Sequence, residues 1–109
     1  MMFLFNYDND IFEVVDIYYD QKKEHPITYA DVYIENGVEK PKEIILTDPD
    51  ERLRKECLDY IFEIRVKKDK QKYKLKNAKV EPFFIKGQPF TQISDHYGLS
   101  FEIHFWKLN

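Results

Sequence analysis

From Lys67 onward the sequence pattern changes to a period of two, and this constrains the fold more than any other feature of the chain. In "KDKQKYKLKNAKVEPFFI" the alternation sets Lys70, Lys72, Lys74 and Lys76 on one face of a strand, with Tyr73 and Leu75 on the other. Pro82 limits how far ladder pairing continues. "PFTQIS" and "GLSFEIHFWK" read as two further strands joined through "DHYG". In the last of these Leu99, Phe101, Ile103 and Phe105 share one side, and Glu102, His104 and Trp106 the other. The nominally polar face thus carries a histidine and a tryptophan.

The first half carries helix signals. In "DNDIFEVVDIYYDQKKEHP" Asp10 is an N-cap with Glu13 three residues on, and Ile11, Val14, Val15 and Tyr18 follow at i, i+3, i+4 and i+7 until Pro26 ends the segment. Its β-branched content keeps a strand as the rival reading. "ITYADVYIENG" predicts a strand over Ile27 to Glu35 closed by an Asn36-Gly37 turn, and "EIILT", residues 43 to 47, a second. "TDPDERLRKECLDYIFEI" announces a longer helix, with Asp48 as N-cap, Pro49 at N1, and Asp50 and Glu51 in the first turn. Leu53, Cys57, Tyr60, Ile61 and Ile64 form its buried stripe, and Leu58 and Phe62 add apolar surface beside it.

Helix, two strands, helix and a three-strand meander predict an α+β fold: a single mostly antiparallel sheet of about five strands with two helices, in one domain spanning residues 1–109. Eight Tyr and nine Phe bring more aromatic surface than one core layer covers. A homodimer is therefore expected, with Leu58, Phe62, His104 and Trp106 as dimer or sheet-cover contacts.

Catalytic candidates fail on company rather than type. His25 precedes a proline, His96 follows Asp95 in a turn and His104 sits on the terminal strand, and no pair has metal-ligand spacing. Cys57, the single cysteine, has no base beside it and reads as a small core residue. No catalytic residue, metal or cofactor is expected, and the chain reads as a non-enzyme. The lone cysteine and a start without a basic leader or apolar span point to an intracellular protein with no membrane partner.

Net charge is −3 but segregated: residues 1–64 hold 16 acids and 7 bases, residues 65–109 hold 4 acids and 10 bases. Lys70, Lys72, Lys74 and Lys76 are the partner-binding candidates, able to track phosphates as a nucleic-acid-binding regulator would. Lysines on an exposed edge strand also guard against sheet-to-sheet aggregation, and the acidic balance ranks nucleic acid second.

The run Glu102, Ile103, His104, Phe105, Trp106 and Lys107 resembles the C-terminal strand of the small anti-CRISPR proteins of crenarchaeal rod-shaped and filamentous viruses, which include inhibitors of subtype I-D immunity. The match covers about a tenth of the chain, and the lysine strand and the "PFFIKGQPF" connection depart from the family's pattern. The resemblance implies a thermostable, dimeric, non-enzymatic inhibitor in the host cytoplasm that binds a host CRISPR effector protein subunit and blocks interference by occupancy.

Overall fold

The computed structural model describes residues 6–106. Along the chain run β1 (Asn6–Asp8), β2 (Phe12–Asp16), α1 (Ile17–Lys22), β3 (Val32–Glu35), β4 (Val38–Pro41), a 3-10 turn (Pro49–Glu51), β5 (Phe62–Val66), β6 (Tyr73–Glu81) and β7 (Gly98–Phe105). The expected single five-strand sheet with two helices is overturned. The strands form one three-stranded sheet, β1-β2-β5, and two two-stranded ones, β3-β4 and β6-β7, with one short α-helix among the described residues.

The chain gathers into two compact units. The first comprises the described residues up to His25, Tyr60–Lys79 and those from Ser100 on; the second comprises Pro26–Asp59 and Val80–Leu99.

In the first unit the β-branched run of β2 takes the strand alternative and pairs antiparallel with β5, Val14 opposite Ile64 and Phe12 opposite Val66. The helix starts six residues later than Asp10 would cap it. Asp16 is the actual N-cap, accepting from the Tyr19 amide at 3.1 Å, and Lys23 ends the helix in the left-handed region with its amide on the Tyr19 carbonyl. Val15, Ile17 and Ala78 are buried here. Strand β5 reverses the usual pattern: Glu63 is buried, whereas Phe62, Ile64 and Val66 are exposed. Glu63 tolerates burial because Arg65 Nε donates to its Oε1 at 2.6 Å. Burial pushes the guanidinium pKa down, but the Glu63 carboxylate more than offsets this and raises it.

In the second unit Asn36 and Gly37, both at positive φ, close the β3-β4 hairpin with Glu35 opposite Val38, as the Asn-Gly signal predicts. The segment 43–47 forms no strand, because the Glu43 carboxylate takes the amides of Ile45 and Leu46 that a ladder would use. The long second helix is absent too. Asp48 and Pro49 cap a 3-10 turn, but Lys55 enters positive φ and the Glu56 amide goes to the Tyr29 carbonyl instead of continuing a helix. Tyr29, Ala30 and Tyr97 are buried apolar residues of this unit.

Candidate active site

The second unit is organised around Thr28 and Tyr29. Thr28, with no exposed surface, sends its amide to the Glu56 carbonyl and receives the Tyr97 amide on its own carbonyl. Its hydroxyl oxygen accepts from the amides of Leu58 and Asp59 at 3.0 and 3.2 Å. The backbone of Tyr29 bridges Glu56 and also His96. One dipeptide thus holds residues 56–59 and residues 96–97, which are distant in sequence.

The consequence is a side-chain pair. His96 Nδ1 lies 2.7 Å from Asp59 Oδ2. An ionised carboxylate only accepts, so Nδ1 is the donor in this contact, and Nε2 is left outside it. The two side chains are 38% and 37% exposed, shielded yet reachable. The turn before His96 is closed by its own amide on Ser94 Oγ and by Gln92 Nε2 on the Ser94 carbonyl.

Tyr29 lies against the pair, and Tyr97, next along the chain from His96, turns to other partners. The Tyr29 ring lies 4.9 Å from the His96 ring, centroid to centroid, and its hydroxyl donates to Glu51. That hydrogen bond, with burial and the charge of Glu51, pushes the phenol up to about 12, so it stays neutral at physiological pH. The Tyr97 hydroxyl donates to Asp31 Oδ2 at 2.8 Å, and Lys42 Nζ approaches the same oxygen at 2.9 Å. Burial pushes the Asp31 carboxyl up, but Lys42, Tyr97 and the Val32 amide hold it below the usual range. Burial and Asp31 push the Tyr97 phenol upward.

The other histidines are differently employed. His25 stacks on Tyr19 at 4.6 Å, and Asp16, at 3.8 Å from its Nδ1, is committed to capping α1. His104 pairs with Glu102 at 2.8 Å, an exposed contact two residues along β7. Among the described residues no group of three or more His, Cys, Asp or Glu is placed to hold a metal ion.

Lys74 and Lys76 lie exposed on β6, and Lys70 and Lys72 lie exposed in the connection before it. Phe62, His104 and Trp106 are exposed in the first unit, with Phe62 stacked on Tyr60 at 5.7 Å. Leu58, also exposed, follows Cys57 through the segment that Thr28 holds. Sequence reasoning missed the His96–Asp59 pair because it tested His96 only against its neighbour Asp95. The partner is 37 positions upstream, a separation that no motif spacing encodes.

No protein-family model matches the sequence, and no solved structure matches it. The chain is similar to a sphingomyelinase of Dictyostelium discoideum, with 33% identity over 119 aligned residues that cover 83% of this chain and 26% of the relative. The chain thus spans about a quarter of the relative's length.

Proposed function

We propose that this chain carries the proton-transferring histidine of a phosphodiesterase acting on sphingomyelin. The observation behind the reading is the His96–Asp59 contact, half-shielded and built from two distant segments. Hydrolysis of a phosphodiester needs a base to take a proton from water as the oxygen attacks phosphorus. His96 Nε2 takes that proton, the bond from phosphorus to the lipid oxygen breaks, the leaving lipid oxygen takes a proton from solvent, and the imidazolium returns its own proton to solvent. Asp59 holds the imidazole in the required tautomer and stabilises the imidazolium that forms. The relative is named as an enzyme of Dictyostelium, which favours this reading over a virus-encoded inhibitor of CRISPR.

The test replaces the matched quarter of the Dictyostelium enzyme with this chain and follows sphingomyelin hydrolysis with and without added divalent cations. The chimera is expected to turn over substrate, and His96→Asn to lower kcat by about 100-fold or more at unchanged melting temperature. A chimera that folds without activity, or one indifferent to His96→Asn, overturns the proposal.

A further inference from the structure

The connection from β5 to β6 is short, basic and fixed at both ends. The Lys67 amide donates to the Ile11 carbonyl at 2.8 Å, and the Trp106 amide donates to the Lys72 carbonyl at 3.1 Å. Between them the segment Lys67–Lys72 carries four lysines and one acid, Asp69, all exposed. Lys67, ion-paired with Asp8, lines an open cleft of about 900 Å³ together with Lys68, Lys70 and Lys72, and Glu13 and Asp69 are the acids on its wall. Apolar side chains line the same cleft: Ile64 and Val66 from the outward face of β5, and Phe105, 72% exposed, from the end of β7.

Lysine heads beside projecting aliphatic and aromatic groups have the chemistry of a protein that lies on a lipid surface. The ammonium groups meet anionic headgroups, while the apolar residues enter the boundary with the acyl chains. The geometry points to the face formed by Lys68, Lys70, Lys72, Ile64, Val66 and Phe105 as a docking surface for anionic membranes. This reverses the sequence expectation of no membrane partner; no helix among the described residues is long and apolar enough to cross a bilayer, and docking needs none. The choice of a lipid surface over a nucleic acid rests on the sphingomyelin reading and on the apolar groups, since a phosphate backbone alone would leave Ile64 and Phe105 without an apolar partner.

The experiment is co-sedimentation of the full chain with vesicles of phosphatidylcholine alone or with about 30% phosphatidylserine, at about 0.1 M and about 0.5 M salt. Binding is expected only with phosphatidylserine, and to fall at the higher salt. The triple variant Lys68→Gln, Lys70→Gln, Lys72→Gln should partition about 100-fold more weakly at unchanged melting temperature, each lysine accounting for roughly fivefold. Phe105→Ser should weaken binding at both salt concentrations. Equal binding to the two vesicle types, an unaltered triple variant, or preferential capture by a duplex oligonucleotide would each overturn the inference. His96→Asn should leave vesicle binding intact, so a failure of docking and a failure of the catalytic reading are seen separately.

Discussion

Replacing Thr28 with Val tests the positioning of the histidine directly. Valine nearly matches threonine in volume but has no oxygen, so the part-buried amides of Leu58 and Asp59 lose an acceptor on a fully buried side chain. A fully buried donor left unpaired costs roughly 1–3 kcal/mol, and with these two only part-buried the pair should cost about 2–4 kcal/mol. For a domain of this length, that lowers the melting temperature by roughly 10–20 °C. Thr28→Ser keeps the acceptor, removes one methyl and should cost about 1 kcal/mol. Circular dichroism melts give the stability, and 15N NMR of the imidazole gives the tautomer, which stability alone does not move. In the parent chain Nδ1–H should dominate because Asp59 accepts from it; in Thr28→Val, with Asp59 displaced, the population should shift toward Nε2–H, and Thr28→Ser should restore it. If Thr28→Val and Thr28→Ser melt together with one tautomer pattern, the hydroxyl does not position the pair.

Glu43 is buried, and its two oxygens accept from the amides of Ile45, Leu46 and Thr91 and from the Thr91 hydroxyl, so Glu43→Gln should destabilise by about 2–4 kcal/mol in thermal or urea melts. Burial pushes the Glu43 carboxyl up, but those hydrogen bonds outweigh it and hold the pKa below its ordinary value, as at Asp31. A carboxyl depressed in the folded state stabilises above its unfolded pKa and loses that contribution as pH falls through its folded one. The melting temperature should therefore drop as pH falls below about 4; Asp31→Asn with Glu43→Gln should flatten that drop. At the alkaline end Tyr29, raised from 10.0 to about 12, stabilises below pH 10 and loses this as pH climbs toward 12. Glu51→Leu removes both the hydrogen bond and the charge behind the shift, and spectrophotometric titration should show Tyr29 ionising earlier; an unchanged curve would rule out Glu51 as its cause.

What was legible in the sequence was local. The alternation of Leu99, Phe101, Ile103 and Phe105 appears as β7, and Asn36-Gly37 closes a hairpin, because strand period and turn chemistry act over a few residues. Asp48 and Pro49 do start a helical turn, yet it ends at Glu51, since a cap specifies a beginning and not a length. Beyond that turn, tertiary partners take the backbone. Glu56 bonds to Tyr29, and the amides of Leu58 and Asp59 turn to the Thr28 hydroxyl, about 30 residues upstream and silent in any helical pattern. A helix through Leu53–Ile64 would have used those same amides within its own ladder. The missing helix and the overlooked site therefore have one cause: Asp59 reaches His96 because Thr28 takes from its segment the amides that a helix requires. Sequence periodicity weighs only what a segment can do with itself, so the segment where it fails most plainly is the one that carries the candidate chemistry.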